Sequence, residues 1–421
     1  MIGRTNAGGG GKTIFPTGIE ITSPPTKTTY NAGENIDLTG IVVTATFSDG
    51  STKDITSECT FSPASGTVIY ENNDKITANW TWEDTITYSA AQSITVKRVL
   101  TGLSITTQPA KTSYYKGDTL DLTGMVVTAT FSSGASEDVT SGCSFNPAAG
   151  SALSSYGTVT VTVTYTENGV TKTATATVTV TVKVVAFSNS ATDQEIIDML
   201  EAHEQGVINL TDYWTVNDTR TASISAIAAT GVGESHVAQQ LNIVLSHQGG
   251  QILEGGTECT FQWDFVEAFA EAGYMNSTNT NSGGYDGSAR ATWNDTPLYD
   301  ALPLWVQKMA KPFKVTSGVG GGASSGLQTT VHKLALRAEQ EVFGTRTYSF
   351  ADEATALTQV DYYKTADNRK KKRGISGSVS DWWLRSSYSG NSNFFCLVSS
   401  DGSANGIFAS GSYGLAPFGC F

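Results

Sequence analysis

Long hydrophobic runs are missing from this sequence of 421 residues, and no apolar stretch approaches the length of a membrane span. Residues 1–15 also lack the apolar core of a signal peptide. We therefore expect no membrane insertion, no secretion by the usual route and no lipid anchor. The N-terminal segment 1–17 contains the glycine run Gly8–Gly11, which predicts a flexible chain.

Basic residues are also scarce. The chain has 26 Lys and Arg against 39 Asp and Glu, which gives a net charge of −13. Binding to the phosphates of a nucleic acid needs a concentrated basic face, so we expect no nucleic-acid partner. The one basic run, Arg369–Arg373, has no other basic residues around it in the sequence and predicts a solvated loop.

The five cysteines do not have the pattern of a disulfide scaffold. Cys59 and Cys143 occupy equivalent places in two repeats, and we expect each to be a small buried residue of its own domain. Cys259 stands alone. Cys396 and Cys420 either form a pair or remain two buried free thiols.

Residue patterns for catalysis or metal binding are absent as well. The acidic residues do not cluster in the spacing of a calcium loop. The glycine run Gly318–Gly322 lacks the following lysine and helix of a nucleotide-binding loop. We expect no metal, no cofactor and no catalysis. The four histidines also lack metal-ligand spacing; they are His203, His236, His247 and His332.

An internal repeat dominates the first half of the chain. Residues Gly18–Gly66 align without a gap with Gly102–Gly150, 84 positions later. Both copies contain the sequence Asp-Leu-Thr-Gly followed by Val-Val-Thr-Ala-Thr-Phe. Two similar tandem copies predict two similar domains.

Each copy alternates apolar and polar residues in short runs that are separated by Gly, Pro, Asn and Asp, as β-strands and turns do. The clearest case is 158–182, where a turn at Glu167-Asn168-Gly169 separates two alternating runs and predicts a β-hairpin. Domains of this size with short strands and no helical period are typical β-sandwiches.

The spacing of Tyr30, Gly33, Leu38-Thr39-Gly40, Val43 and Phe47-Ser48-Asp49-Gly50 resembles the bacterial immunoglobulin-like repeats of surface and virion proteins. The resemblance covers roughly residues 18–184. It implies two all-β immunoglobulin-like sandwiches, at 18–100 and 101–184, that act as spacers and say little about function.

The second half, 185–421, has a different pattern. Thr192-Asp193-Gln194-Glu195 is a capping box that begins a short helix ending at Gly206. A second amphipathic helix is predicted from Leu298 to Met309, with Pro303 near its start. Short strands and polar loops surround these helices, so the predicted class of this half is α+β.

Several motifs of this half occur together in one order. They are Trp214–Arg220, Tyr274–Tyr285, Glu341–Gly344, Asp381–Ser386, Phe395-Cys396, Asp401-Gly402 and Gly414–Cys420. This set resembles the C-type-lectin-like variable proteins of diversity-generating retroelements, in the branch related to formylglycine-generating enzymes. The resemblance spans roughly residues 185–421 and implies a C-type lectin fold that binds a ligand.

The resemblance also implies a variable final segment. In that family a reverse-transcriptase system randomises adenines, mostly in asparagine codons, and changes at the two adenines of AAC or AAT cannot give Lys, Glu, Gln, Met or Trp. None of these five residue types occurs from Ser386 to Phe421. An ordinary Gly/Ser loop would have a similar composition, and the flanking Trp-Trp-Leu-Arg and terminal motifs favour the variable segment.

The ligand-binding residues implied by this comparison combine aromatic anchors with small polar neighbours, as antibody paratopes do. The anchors are Tyr388, Phe394, Ile407, Phe408 and Tyr413, and the other members are Ser387, Ser389, Asn391, Ser392, Asn393, Leu397, Ser399, Ser403, Asn405, Gly406, Ser410 and Gly411. The fixed scaffold is implied to include Phe395, Cys396, Val398, Asp401, Gly402, Ala404, Ala409, Ser412 and Gly414. We expect Trp382, Trp383 and Leu384 in the core.

One further tripeptide, Trp293-Asn294-Asp295, occurs in true C-type lectins, where it helps to bind calcium and sugar. The companion acidic-Pro-Asn loop is absent, so we interpret the tripeptide as a coincidence.

The functional expectation is a non-enzymatic protein that binds a host-surface protein or glycan from the surface of a bacteriophage virion. Segment 1–17 could contact other virion proteins. The alternative is a bacterial cell-surface adhesin, and a more distant one is an enzyme of the formylglycine-generating type that uses Cys396 and Cys420.

Overall fold

The structure is a computed structural model that describes residues 13–229 and 235–421. Its contacts form two compact units, Met1–Val180 and Thr181–Phe421, which we call unit 1 and unit 2. Most of the predicted flexible segment, residues 1–12, lies outside the described residues. Pro16 and Thr17 already belong to the first strand, so the flexible segment was predicted too long.

Strands make up the first repeat of unit 1. They form a sheet of order β1-β3-β4, a sheet of order β5-β6-β7 and a parallel pair β2-β8. The strands are β1 Pro16–Ser23, β2 Thr29–Asn31, β3 Val42–Phe47, β4 Thr52–Asp54, β5 Thr60–Ser62, β6 Lys75–Trp82, β7 Ile86–Ser93 and β8 Thr95–Lys97.

The second repeat has corresponding strands in two sheets of order β9-β11-β12 and β10-β15-β14-β13. The long strand β15 corresponds to β7 and β8 together, which Ile94 interrupts in the first repeat. The strands are β9 Leu100–Thr107, β10 Ser113–Tyr115, β11 Val126–Phe131, β12 Ser136–Asp138, β13 Ser144–Asn146, β14 Gly157–Glu167 and β15 Val170–Thr181. The predicted hairpin is confirmed, because β14 pairs with β15 along its whole length.

Each repeat encloses its own core between two sheets. In the second repeat, Val127 of β11 packs in one cluster with Val161 of β14 and Val178 of β15. This arrangement follows from the alternation of apolar and polar residues, because successive side chains of a strand point to opposite faces. Cys59 and Cys143 pack against these clusters but are half-buried, so they are less enclosed than predicted.

Unit 2 contains short helices and a further eleven strands among its described residues. A four-stranded sheet has the order β16-β17-β18-β26, and a three-stranded sheet has the order β23-β24-β25. The strands are β16 Thr219–Ile224, β17 Gln239–Gln248, β18 Phe261–Phe265, β19 Phe313–Gly318, β20 Leu327–His332, β21 Lys371–Lys372, β22 Val379–Ser380, β23 Trp382–Ser387, β24 Phe394–Val398, β25 Ala404–Phe408 and β26 Phe418–Cys420. The α-helices are α1 Asp193–Glu204, α2 Ala289–Trp293, α3 Tyr299–Ala301, α4 Leu304–Met309, α5 Glu339–Phe343 and α6 Glu353–Ala356.

Helix α1 begins as its capping box predicts. The Thr192 hydroxyl accepts a hydrogen bond from the backbone N–H of Glu195, and the Glu195 carboxylate accepts one from the backbone N–H of Thr192. The helix ends at Glu204, two residues before Gly206, whose φ is +70°. The local sequence signals therefore locate this helix correctly.

The second predicted helix, Leu298–Met309, is wrong as a continuous element. Helix α3 ends at Ala301, Leu302 is extended with ψ at 148°, and α4 begins after Pro303. The proline ring clashes with the backbone of the residue before it and moves that residue out of the helical region. Pro303 therefore divides the segment into two helices.

The basic run is only in part the solvated loop that its charge predicted, since Lys370 and Lys372 are exposed but Lys371 is not. Lys371 is fully buried, and its ammonium donates hydrogen bonds to the backbone carbonyls of Phe265 and Val266. The pKa of Lys371 falls to about 8 because burial penalises the charged form, although Asp264 and Glu267 oppose the shift. The run contributes a structural cation to the interior of unit 2.

Within residues 13–229 and 235–421, no helix combines the length and the apolar character needed to cross a bilayer.

Acid is expected to destabilise unit 2 through His236. This side chain is 3% exposed, its ring lies 4.8 Å from the ring of Trp293, and Nδ1 lies 3.3 Å from Glu271 Oε2. Burial and the charge of Arg290 lower the pKa of His236 to about 4, against the opposing effect of Glu271. The unfolded chain binds a proton near pH 6.5, so stability is lost as the pH falls from 6.5 to 4, by up to about 3 kcal/mol.

Urea unfolding of unit 2 between pH 7 and pH 4.5 measures this loss. His236→Phe keeps an aromatic ring beside Trp293 and removes the titrating group, so its stability should fall less over the same range. If the free energy of unfolding falls equally with pH in the wild-type chain and in His236→Phe, the acid sensitivity does not come from His236.

Candidate ligand-binding face

The residues predicted to bind ligand lie on the sheet β23-β24-β25 and on the loops beside it. Strand β24 pairs with both neighbours, and Phe394 lies directly opposite Phe408 of β25. We call the accessible members near this end of the sheet the candidate face. They are Tyr388, Ser389, Asn391, Ser392, Asn393, Phe394, Gly406, Phe408, Ser410, Gly411 and Tyr413. Asn405 and Ile407 are accessible too, but they lie opposite Leu397 and Phe395 and point to the other side of the sheet from Phe394 and Phe408.

Two predicted contact residues are inaccessible. Ser387 is 0% exposed and Leu397 is 1% exposed, so neither can touch a ligand in this structure. Leu397 lies between Trp383 of β23 and Asn405 of β25 in the central strand. The apolar run Phe394–Val398 indicates a buried strand, but the family resemblance placed Leu397 among the contact residues.

Two further predicted residues are far from the rest. Ser399 and Ser403 lie in the turn between β24 and β25, and Asp401 Oδ1 accepts hydrogen bonds from the backbone N–H and the hydroxyl of Ser403. Four residue steps separate Phe394 from the other end of β24, a distance of roughly 13 Å. The structure therefore does not bring this turn to the candidate face, and the Ser403 hydroxyl stabilises the turn.

Four of the predicted scaffold residues are fully buried. Phe395, Cys396, Val398 and Ala409 are 0% exposed. Trp382, Trp383 and Leu384 are also 0% exposed, which confirms their predicted place in the core. Asp401, Gly402, Ala404 and Ser412 keep some exposure, because they lie in the turn, at the start of β25 or in the loop after it.

Aromatic rings follow one another across the candidate face. The ring of Tyr348, which lies outside the predicted segment, stacks on Tyr388 at 5.3 Å and an interplanar angle of 28°. Tyr388 meets Phe394 edge to face at 5.7 Å, and Phe394 meets Phe408 at 4.6 Å. We call these four residues the aromatic row. Phe408, at its end, is 45% exposed.

Two glycines make room for the tyrosines of the face. A Cβ atom at Gly406 would lie 2.4 Å from Tyr388 Cδ2, and one at Gly411 would lie 2.5 Å from Tyr413 Cε2. Contacts under 3.0 Å force one partner to move, so a larger residue at either glycine would displace a ring. Positions 388 and 406 are therefore coupled, as are 411 and 413.

The loop between β23 and β24 is held by one buried side chain. Asn281 is 0% exposed, and its amide nitrogen donates hydrogen bonds to the backbone carbonyls of Asn391 and Phe394, each at 2.7 Å. Its backbone N–H donates to the carbonyl of Ser392 at 2.8 Å, and its side-chain oxygen accepts from Gly321 at 2.8 Å. Because these contacts of Asn281 involve only main-chain atoms of the loop, loop side chains can change without breaking them. One loop side chain also supports the loop, since Asn391 Oδ1 accepts a hydrogen bond from the backbone N–H of Asn393.

The segment after β25 is held in a similar way. The carbonyl of Ala409 accepts hydrogen bonds from the backbone N–H groups of Met275 and Asn276, at 3.0 and 3.1 Å. Asn279 Oδ1 accepts from the hydroxyl of Ser410 at 2.5 Å. Asn279, Asn276 and Asn281 belong to the motif 274–285, which carried the family resemblance, but nothing in that motif identified them as supports of the face.

A network of buried charges underlies the sheet. Arg385 of β23 donates to both oxygens of Glu341 in α5, at 2.6 and 3.0 Å, and also to the backbone carbonyls of Leu336 and Thr316. Burial opposes ionisation of Glu341, but the charges of Arg385 and Arg337 outweigh it, and the pKa of Glu341 is lowered. The ion pair fixes β23 to the helix behind it.

A second buried carboxyl, that of Glu353, contacts the next residue of β23, Ser386. Ser386 donates its hydroxyl hydrogen to Glu353 Oε2 at 2.6 Å. Burial raises the pKa of Glu353, which retains more of its proton near neutral pH than an exposed glutamate would. With Arg385, this contact leaves β23 little freedom to shift under the candidate face.

All five cysteines are free thiols. Cys396 and Cys420 are both 0% exposed, which corresponds to the second of the two alternatives drawn from the sequence. Cys420 instead neighbours Cys259, whose thiol pKa is lowered by a hydrogen bond between the two side chains. The expectation that Cys259 stands alone is therefore wrong.

The tripeptide Trp293-Asn294-Asp295 serves the interior of unit 2. The Asn294 amide donates to the Tyr285 hydroxyl at 2.8 Å, and Asp295 Oδ2 lies 2.6 Å from His332 Nδ1. Among the described residues, no three His, Cys, Asp or Glu side chains are grouped to hold a metal ion.

Two family models match parts of the chain. The model described as "Bacterial Ig-like domain (group 3)" matches residues 23–69 and 107–182, so the first half contains immunoglobulin-like domains as predicted. The model described as "Domain of unknown function (DUF6273)" matches residues 264–420, which include the whole candidate face. No curated protein matches the chain.

Solved structures of surface-layer proteins are similar to parts of the chain. Domains 4 and 5 of the S-layer protein SbsC share 18% identity over 39% of this chain and 98% of theirs, with a TM-score of 0.19. Domains 4–9 of surface layer protein SbsC share 14% identity over 58% of this chain and 38% of theirs, also with a TM-score of 0.19.

Proposed function

We propose that unit 2 is a non-enzymatic ligand-binding domain that recognises its partner through the candidate face. One observation carries the proposal: the aromatic row and its small polar neighbours are accessible, while the residues behind them in β23 and β24 are buried. A rigid frame with an accessible aromatic surface has the properties that a paratope needs.

The chemistry of the face suits a neutral partner. From Ser386 to Phe421 the only charged side chain is Asp401, and it lies in the distant turn between β24 and β25. Tyrosine and phenylalanine supply contact area at a low cost in conformational entropy, while serine and asparagine supply adaptable hydrogen bonds. The partner class is therefore an uncharged, partly apolar surface of a host protein or a glycan.

The proposal extends to variation of the face in a C-type lectin fold. The absence of Lys, Glu, Gln, Met and Trp from Ser386 to Phe421 supports an origin in randomised asparagine codons. The anchoring by Asn281 supports it as well, because these contacts reach only the main chain of the loop. The gene neighbourhood tests this part: a near-copy of the final segment that differs only at adenines is expected downstream.

The immunoglobulin-like domains of unit 1 fit a role as spacers that hold unit 2 away from a particle. We propose display on a bacteriophage virion, with a bacterial cell surface as the alternative. Mass spectrometry of purified virions and of washed cell envelopes distinguishes the two, since the chain should be enriched in only one preparation.

A randomised library tests binding without knowledge of the natural ligand. Six accessible positions would be varied together in the full chain and displayed: Tyr388, Ser392, Asn393, Phe394, Phe408 and Ser410. Most members are expected to fold, because substitutions at accessible sites usually change stability by no more than about 0.5 kcal/mol. Selection against purified lysozyme should yield binders with a Kd of about 1 µM or lower.

The matched control is a library at buried positions of the same strand, Phe395, Cys396, Leu397 and Val398. Its members should mostly fail to fold, because changes in core volume are destabilising. A face library that unfolds as often as the core library, or that yields no binder, would contradict the proposed function.

A further inference from the structure

We infer that Tyr348 is a constant contact residue of the candidate face, so that every variant of the face presents one aromatic ring that variation cannot remove. The inference rests on the proposed function. It concerns a residue 38 positions before Ser386, outside the segment implied to vary.

Tyr348 adjoins the variable residues directly. Its half-buried ring stacks on Tyr388 at 5.3 Å, and its backbone carbonyl accepts a hydrogen bond from the N–H of Ser389 at 2.9 Å. Tyr348 therefore forms one end of the aromatic row, and Phe408 forms the other. If position 388 held a small residue, the stacked face of Tyr348 would be uncovered and open to a ligand.

A buried carboxylate fixes the backbone at this position. Glu339 is 0% exposed, and its side chain accepts hydrogen bonds from three successive backbone N–H groups, those of residues 347, 348 and 349, at 2.7 to 3.1 Å. The backbone N–H of Glu339 is in turn bonded to the hydroxyl of Ser386, at 2.9 Å. The loop that presents Tyr348 is thus attached to β23 itself.

The fixed position of Tyr348 determines what its ring can contribute to ligand binding. Hydrogen bonds to charged groups are stronger than neutral ones, so the three bonds to Glu339 hold the loop in one conformation. A rigid tyrosine loses little entropy on binding and presents both an apolar ring and a hydroxyl. The expected contact is a planar or apolar group on the partner, and it should recur in binders whose variable residues differ.

The test uses independent lysozyme binders selected from the face library. In most of them Tyr348→Ala should weaken the Kd by at least about tenfold, as loss of an interface aromatic does. Tyr348→Phe keeps the ring and should stay within about threefold. Tyr299→Ala is the matched control: this tyrosine is also half-buried, its ring lies 3.9 Å from the Lys333 ammonium, and its loss should leave the Kd unchanged.

A second measurement needs no variant. Hydroxyl-radical labelling of the tyrosine rings in a selected binder should fall several-fold at Tyr348 when lysozyme is added, and not at Tyr299. Binders that keep their Kd in Tyr348→Ala and show no protection of Tyr348 would overturn this inference and leave the proposed function intact. A library without any binder would overturn both.

Discussion

Replacement of Asp264 by alanine is expected to destabilise unit 2 by about 3–5 kcal/mol, because it removes the nearest counter-charge of the buried Arg337 and leaves it only Glu341, at 3.9 Å. Asp264 and Arg337 are both fully buried, and Arg337 Nη2 lies 2.5 Å from Asp264 Oδ2. The Tyr363 hydroxyl also donates to Asp264 at 2.8 Å. Burial disfavours the ionised carboxyl, but Arg337 outweighs this effect and the pKa of Asp264 is lowered.

A double variant separates the charge from the packing. Arg337→Met in the Asp264→Ala background removes the cation that has lost its nearest counter-charge and should recover part of the lost stability. The recovery is incomplete because Lys371, whose buried ammonium is also attracted by Asp264, stays in place. Amide hydrogen exchange of β18 and β26 in the full chain measures the local free energy of opening. Unchanged exchange in Asp264→Ala would show that the pair adds no stability.

The sequence predicted elements whose signals are local. The capping box located α1, and alternation with turn residues located the hairpin β14–β15, because neighbouring residues decide both structures. The sequence also contains Pro303, which divides α3 from α4, but the prediction of one helix over Leu298–Met309 treats this proline as part of the helix start. In that case the local steric rule was the better guide.

The burial of particular residues was not predictable in the same way. Lys371 lies in a basic run whose composition is typical of a surface, yet distant segments cover it. Leu397 is different, because it lies in the apolar run Phe394–Val398, which itself indicates a buried strand. Asn281 and the carbonyl of Asn391 are 110 residues apart in sequence, although they are joined by a hydrogen bond. A single sequence contains the residues of such contacts but not their pairing.

The position of Tyr348 has the same explanation. Its neighbours in sequence, Thr347 and Ser349, gave no periodic pattern and no turn signal that would connect them to the final segment. Only the fold brings the loop against β23, through the carboxylate of Glu339. The residues predicted from the sequence therefore do not include this end of the aromatic row.

Trp383→Ala should destabilise unit 2 by about 3–5 kcal/mol, the usual range for removal of a large buried aromatic side chain. Trp383 is 0% exposed and packs edge to face against Tyr413 at 5.1 Å. Its indole N–H donates to the carbonyl of Gly273 at 2.7 Å, and without it that acceptor would keep only the backbone N–H of Tyr413. The expected loss therefore includes both a cavity and a broken buried hydrogen bond.

Phe408→Ala is the matched comparison on β25, the other outer strand of the same three-stranded sheet. Phe408 is 45% exposed, and its main aromatic contact is the edge-to-face pair with Phe394, so its removal should cost about 1 kcal/mol or less. In a lysozyme binder that keeps Phe408, the same change should weaken the Kd by roughly thirtyfold if this residue is a hot spot. If the core and the face are assigned correctly, thermal unfolding shows the larger loss of stability in Trp383→Ala. Binding titrations then show the larger loss of affinity in Phe408→Ala. If Phe408→Ala unfolds unit 2 while Trp383→Ala stays folded and loses binding, the two surfaces of the sheet have been exchanged, and the ligand must contact the Trp383 side.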